Sequence, residues 1–453
     1  MQDISQTQWT RQICQLAMAR QERAARNLAA SHPRWMIQSL PVASVLGETE
    51  LVSRLIHEGA DPNQTVMGDW TPLILALAGP RAYSDCDSPE CSHQVVSMLL
   101  QAGADPNVSV FDEDMPGQRL SALATALGNS ENPDLGQLLI DFGANVKDGL
   151  AVTVLACKDR WDLAEPLLEL GASFDDFDPS GTYATLHFVM DRVYDKERIM
   201  ELARRGADLN LPNKVNGETP LMMAVKRRRL DVIRPFIRLG ADPNAQTTGG
   251  MTAYRHAIRR NFPEIATELV DLGAKEELLP QDEWAVGLWA EDLSALPHKE
   301  QGEKFVADWP VEESRLFPDL AAAGRLDSVA YLLGLGVDLE LRGLDNGTAL
   351  HQVGWFGVPD VAKMLIESGA DVQALGDDHY STPLGWVAHG STYSGGAEER
   401  QSEYVEIAEM LLDAGAKFPR LEDEWDHFQL HAASPAVRVV LERYGWQPVH
   451  EVI

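Results

Sequence analysis

The sequence predicts an all-α solenoid, a row of about ten to twelve helix–turn–helix repeats joined by short hairpin-like turns. Three observations predict it. The first is a phrase of two apolar residues, a short polar step and Gly-Ala-Asp, as in Leu55-Ile56-His57-Glu58-Gly59-Ala60-Asp61-Pro62-Asn63 and Leu99-Leu100-Gln101-Ala102-Gly103-Ala104-Asp105-Pro106-Asn107. Weaker copies start at Gly143, Gly171 and Gly273 and stronger ones at Gly206, Gly240, Gly369 and Gly415, while Gly336 carries Val337-Asp338. The second is the spacing of those glycines, 44, 40, 28, 35, 34, 33, 63, 33 and 46 residues, which sets a period near 33 with insertions and lost copies. The third is a Thr-Pro-Leu phrase about a dozen residues after several of the glycines: Thr71-Pro72-Leu73, Ser121-Ala122-Leu123, Thr219-Pro220-Leu221, Thr348-Ala349-Leu350-His351 and Thr382-Pro383-Leu384, with Thr185-Leu186-His187 degenerate.

Each element has a physical reason. Thr caps the first helix through its hydroxyl, and Pro follows at a position whose N–H has no helical partner to lose. Gly closes the second helix in the left-handed conformation, and Asp-Pro-Asn suits the turn into the next repeat. A single helix pair cannot cover its own apolar face, so neighbours must stack, and Ala224, Ala257 and Ala388 are small where inner helices pack closely. Thr-Pro-Leu-His and Leu-Leu-x-x-Gly-Ala-Asp relatives, in order and at this period, resemble the ankyrin-repeat family over roughly residues 36–275 and 316–418. The resemblance implies a concave face and finger-like turns that bind another protein. It also implies that His187 and His351, at the motif histidine, hydrogen-bond between repeats.

The regularity fails at identifiable places. Residues 1–35 are expected to form a helical cap, with Ile13, Leu16 and Ala17 on one buried face of Gln8 to Trp35. Block 1 spans 36–275 and block 2 spans 316–418. Between them, 276–315 reads as a degenerate repeat or linker in which Leu279-Pro280 and Trp309-Pro310 each break a helix. Residues 419–453, with the apolar run Val439-Val440-Leu441, close the other end. Insertions at Gly79 to His93 and Gly390 to Tyr404 lengthen the connection between the helices of one repeat.

Composition limits function. Among 453 residues, 38 Lys plus Arg stand against 69 Asp plus Glu, a net charge of -31 that repels nucleic acid and anionic membrane and favours a basic protein partner. Four scattered cysteines make no disulfide framework, and neither a secretory signal nor an apolar run long enough for a bilayer is visible. The expectation is a cytoplasmic monomer with no cofactor. No nucleophile elbow, phosphate loop, dinucleotide fingerprint or paired-histidine zinc motif occurs, and Asp175-Asp176 lies in a turn, so no enzyme is expected.

Three features stand out. Residues 196–260 reverse the charge, with 14 Lys plus Arg against 6 Asp plus Glu. Its clusters Arg204-Arg205, Lys226-Arg227-Arg228-Arg229 and Arg259-Arg260 read as one basic edge for an anion or nucleic-acid backbone, or as solvated residues neutralised by neighbours such as Asp231 and Glu264. Reversing Lys226, Arg227, Arg259 and Arg260 to Glu is expected to weaken partner binding and leave folding intact. The second feature is Trp355, Trp386 and His389, aromatic anchors for a partner or packing between repeats. The third is Cys86, Cys91 and His93, which could hold zinc if a fourth ligand came from elsewhere, and otherwise form a reduced surface loop. The function expected is a non-catalytic scaffold, possible neutraliser of a basic partner such as a nuclease or toxin; the alternative is an anion or nucleic-acid binder using 196–260.

Overall fold

The computed structural model describes residues 5–19, 21–79, 89–111, 119–129, 133–192, 195–297, 299–307, 315–343, 346–376, 381–418 and 430–447. It divides into two compact units, Met1–Ala253 and Tyr254–Ile453. The repeated phrases become helix pairs in both. The threonine and serine hydroxyls do cap their helices: Thr71 accepts from the Ile74 N–H, Thr219 from Met222, Thr382 from Gly385 and Ser121 from Ala124. All ten periodic glycines have φ between 77° and 108°, as does Gly445 at 100°, so helix Pro435–Arg443 closes in the same way within the expected cap.

In the first unit, the N-terminal segment folds as helices Gln6–Met18 and Glu22–Ser31, which bury Trp9, Ile13, Cys14, Ala17, Ala25 and Ala29 against Val42, Val45 and Leu75. The first helices of successive repeats pack on each other: Leu40–Val45 on Pro72–Ala78, and Leu150–Cys157 on Thr185–Arg192 and then Pro220–Lys226. The second helices form another row, with Thr49–His57 on Pro89–Gln101 and Lys196–Arg204 on Leu230–Arg238. The rows differ as a solenoid requires. Every residue of Pro72–Ala78 is buried, whereas Leu230–Arg238 buries only Val232, Ile233 and Phe236 and turns its charges outward. Each fully buried Leu, Ile or Phe in these rows contributes about 1.5–3 kcal/mol.

The second unit repeats the arrangement. Its first helices are Leu316–Ala322, Ala349–Phe356 and Pro383–Tyr393, and its second helices are Leu326–Gly334, Pro359–Glu367, Gln401–Asp413 and Pro435–Arg443, each row packed neighbour on neighbour. Residues 276–315, expected to form a degenerate repeat or a helical linker, hold two helices where they are described. Leu279-Pro280 opens helix Pro280–Ala290, because proline is tolerated at a first helical position, and the helix packs on Leu316–Ala322. A 3-10 turn and helix Lys299–Ala307 follow; Trp309-Pro310 lies outside the described residues.

The expected insertion after Gly390 is also partly helical. Pro383–Tyr393 extends into its first four residues, and the chain re-enters helix at Gln401. Gly390 is required there, since a Cβ would lie 2.6 Å from the Trp355 carbonyl oxygen where two first helices touch. The insertion at Gly79 to His93 lies mostly outside the described residues. Among the described residues, no helix is long and apolar enough to cross a membrane.

Candidate interaction site

The basic residues are extensively paired within each unit. In the first, Arg205 donates to Glu201 at 2.7 Å and Glu165 at 3.1 Å and lies over the Trp161 ring at 4.3 Å. Lys226 places its ammonium 2.7 and 2.8 Å from both oxygens of the buried Glu218, and Arg229 forks onto Asp231 with two 2.9 Å bonds. Arg227 is half-buried, while Arg204 and Arg228 are exposed, Arg204 with Glu201 at 3.4 Å.

In the second unit, Arg260 sits 3.7 Å from Asp319. Arg259 corrects the reading of an open edge: it is only 7% exposed and shares Asp282, itself 0% exposed, with Arg255. Reversing it to Glu would therefore not leave folding intact. The charge count saw the arginines but not the carboxylate that holds them.

The aromatic residues of the second unit form a contiguous row along two first helices. His351 meets Trp386 edge-on at 5.2 Å, Trp386 meets Trp355 at 6.3 Å, Trp355 meets His389 at 5.5 Å and His389 meets Tyr393 at 4.7 Å. The row grades from core to surface. Trp386 is 5% exposed, so it packs between repeats and cannot anchor a partner, whereas Trp355 and His389 are half-buried and Tyr393 is 63% exposed. Tyr393 was not singled out in the sequence because it lies inside the apparent insertion.

His351 accepts the Thr348 N–H and hydroxyl at Nδ1 and donates from Nε2 to Ser381 O at 2.9 Å in the next repeat. Burial pushes it down to about 4, keeping the ring neutral. His187 repeats this geometry, with Ala184 N–H on Nδ1 and Nε2 donating to Leu211 O at 2.8 Å, and burial lowers its pKa too. Both histidines link repeats. Cys86 and the Cys91 side chain lie outside the described residues, and His93 is exposed on helix Pro89–Gln101.

A second set of side chains ties repeats together at the turns. Four residues after a periodic glycine, a side-chain oxygen accepts from the backbone N–H two residues after the next glycine. The rungs are Asn63 to Asp105 at 2.8 Å, Asn107 to Asn145 at 2.7 Å, Asp175 to Asp208 at 2.9 Å and Asn210 to Asp242 at 2.7 Å. In the second unit they are Glu340 to Asp371 at 3.3 Å and Gln373 to Lys417 at 2.8 Å.

The ladder breaks at Lys147, which has no acceptor to offer, and the Ser173 N–H turns instead to Asp176 in its own turn at 2.7 Å. The break coincides with the 28-residue interval. Helix Leu150–Cys157 starts seven residues after Gly143, whereas Pro220 starts its helix fourteen after Gly206. The finger of this repeat is missing. A cavity of about 380 Å³ occupies its place, between the hairpin of Ser109–Phe111 with Arg119–Ser121 and the turn of Phe177, Asp178 and Pro179.

Paired rows of short helices, left-handed glycine closures and a turn-side hydrogen-bond ladder define the class, a helical repeat solenoid within each unit. Comparison with known proteins agrees. The family described as ankyrin repeats in three copies matches residues 186–278, and that stretch of the chain consists of ankyrin repeats. It is 34% identical over 96 residues to mouse ankyrin repeat and SOCS box protein 6, covering 21% of this chain and 23% of that one. It is 30% identical over 141 residues to an ankyrin repeat-containing protein of Treponema pallidum, covering 30% and 47%. Among solved structures, the ankyrin repeat domain of Bcl-3 is matched with 24% identity and a TM-score of 0.29, over 53% of this chain and 87% of that one. The chain thus spans under a quarter of the mouse relative and about half of the Treponema one.

Proposed function

We propose that the chain is a non-catalytic scaffold that holds a protein with a basic surface, using the first helices of the second unit. The observation that carries this is the outer end of the aromatic row, the half-buried Trp355 and His389 and the exposed Tyr393, set in a unit with 15 Lys plus Arg against 36 Asp plus Glu. An exposed aromatic body supplies contact area, and the acidic surround selects a basic partner and speeds its approach. A reducing, cytoplasmic setting fits the free thiols: burial pushes Cys14 up to about 12 and Cys157 up to about 11, which leaves both unreactive.

The test is affinity capture from the native host with the tagged full chain, at low and high salt, beside Tyr393→Ala and Trp355→Ala variants. Basic proteins retained at low salt, and lost with the substitutions, support the reading. Capture of acidic proteins alone, or of the same partners by both variants, rejects it. The alternative is an anion-binding face in the first unit carried by the exposed Arg204 and Arg228. Binding of a labelled oligonucleotide at low salt, weakened by Arg228→Glu, would favour it.

A further inference from the structure

The segment where the period fails holds a helix whose outward face differs from that of its neighbours. Helix Pro280–Ala290 stands in the row of first helices: Arg255 and Arg259 hold its Asp282 from one side, and it packs on Leu316–Ala322 on the other. It buries Asp282, Ala285, Gly287 and Leu288. The outward face carries Leu279 at the N-cap, Glu283, Val286 and Ala290, at steps of four, three and four residues, which sets them on one side of a helix. All four are exposed, Leu279 by 46% and Val286 by 45%. Leu278 and Leu293, just before and after the helix, are also exposed. Among the described residues, no other first helix exposes a large aliphatic side chain.

The flanks decide what this strip can hold. Residues 276–293 contain six carboxylates and no lysine or arginine. Asp282 is buried and taken by its two arginines, Glu291 is 3.9 Å from Arg325 and Glu277 is 3.9 Å from Lys275. Glu276, Glu283 and Asp292 are exposed and have no basic partner among the described residues. The cations beside the strip are engaged: Arg255 and Arg259 are buried on Asp282, and Arg260 is 3.7 Å from Asp319. Trp284 and Trp289 are half-buried on its borders, Trp289 donating to Arg259 O at 2.7 Å. Apolar side chains bordered by unpaired carboxylates select an apolar surface bordered by cations. The strip also selects a shape. Helix Pro280–Ala290 satisfies its backbone groups internally, so it offers no sheet edge to which an extended segment could add. Leu279 to Ala290 runs over about 16 Å, and a second helix laid along it can set residues three and four apart against it.

We infer that the outward face of helix Pro280–Ala290 is a docking strip for a basic amphipathic helix of the protein partner, with Leu279 and Val286 as its apolar contacts and Glu283 as its charged one. The inference rests on the scaffold reading above and names the kind of partner element that the second unit takes. It differs from general acidity in needing an apolar face of helical period. A second copy of this chain is disfavoured as the occupant by a net charge of -31 on each copy.

The probe is a fluorescein-labelled peptide of leucine, lysine and alanine, about eighteen residues long, whose leucines recur every three and four residues. It is titrated against the full chain at physiological salt by fluorescence anisotropy. A peptide of the same composition with its leucines scattered, and one with glutamate in place of lysine, run beside it. The periodic basic peptide should bind, the scattered one at least about tenfold more weakly, and the acidic one not at all. Leu279→Ser with Val286→Ser removes the apolar contacts without changing charge, and serine suits the N-cap that Leu279 occupies; this double variant should weaken binding at least about tenfold. Glu283→Gln should weaken it about threefold. Val439→Ser, at a 66% exposed position on helix Pro435–Arg443, should change nothing.

Equal binding of the periodic and scattered peptides, no binding of the periodic one, or binding unchanged by the double serine variant overturns the inference. Circular dichroism shows whether each variant folds. Glu283→Gln touches no apolar contact, so if the double variant does not fold, periodic-peptide binding unchanged by Glu283→Gln overturns the inference in its place. A dimer in sedimentation velocity that the double serine variant abolishes also overturns it, because the strip then holds a second copy. The same variants go through the partner capture. Capture lost with Tyr393→Ala but unchanged by the double serine variant overturns the strip alone. Capture of no basic protein, with the periodic peptide still bound through Leu279 and Val286, rejects the scaffold reading alone.

Discussion

Replacing Asp282 with Ala should open the start of the second unit. Asp282 is 0% exposed and serves three donors: Arg255 at 2.6 Å and the Leu279 N–H at 2.7 Å on Oδ2, and Arg259 on Oδ1. Removing it strands two guanidinium groups at 5% and 7% exposure and leaves the first turn of helix Pro280–Ala290 without its acceptor. Breaking a buried ion pair from one side costs about 3–5 kcal/mol, because a desolvated charge is left without its counterion. A solenoid unfolds in neighbouring segments, so the loss is read locally. Hydrogen exchange of peptides covering 280–290 should quicken on the order of 10²- to 10³-fold while those covering 401–413 change little. Replacing the whole group, Arg255→Met with Arg259→Met and Asp282→Leu, should restore most of the protection, since apolar residues of similar volume need no counterion. Protection in Asp282→Ala within threefold of the unaltered protein would refute the argument, as would a triple variant no better than the single one.

His351 should make the second unit acid-sensitive. Its folded pKa, about 4, lies below the ordinary 6.5, so the stability it protects is complete above about pH 6.5 and is lost as pH falls through the window down to about 4, by roughly 3 kcal/mol. His351→Gln should flatten that dependence in urea titrations at pH 7 and pH 4.5; a dependence as steep as before would refute it. Gly149→Ala should destabilise the first unit by about 2 kcal/mol or more, through positive φ and overlap with the 176–177 backbone, read as a lower urea midpoint. Asn210→Ala, which removes a rung of the turn-side ladder, should lower stability by about 1 kcal/mol, read as a lower urea midpoint.

How far the sequence could be read depended on whether a feature was local. The capping threonines, the first-position prolines and the closing glycines act within a few residues of themselves, so Thr219-Pro220 and Gly240 announced their helix ends directly. The aromatic row was half legible: Trp355 and Trp386 were conspicuous, but which of them reaches the surface depends on how the two first helices touch at Gly390. Arg259 was misread for a related reason. Its counterion stands 23 residues away, in the segment where the period failed, and a count of charges within a window cannot see across that break.

The failures of the repeat are what separate this chain from a uniform stack. A regular array exposes the same finger and the same concave strip at every step, so its specificity must come from substitutions on those surfaces. Here two departures alter geometry as well. The 28-residue interval removes one finger and leaves a polar slot between its neighbours, and the extended helix Pro383–Tyr393 carries an exposed tyrosine beyond the normal end of a first helix. The aromatic row therefore gives the second unit a contact that a uniform stack would not offer, and Tyr393→Ala should weaken partner capture; capture unchanged by that substitution would show that the end of the extended helix is not used.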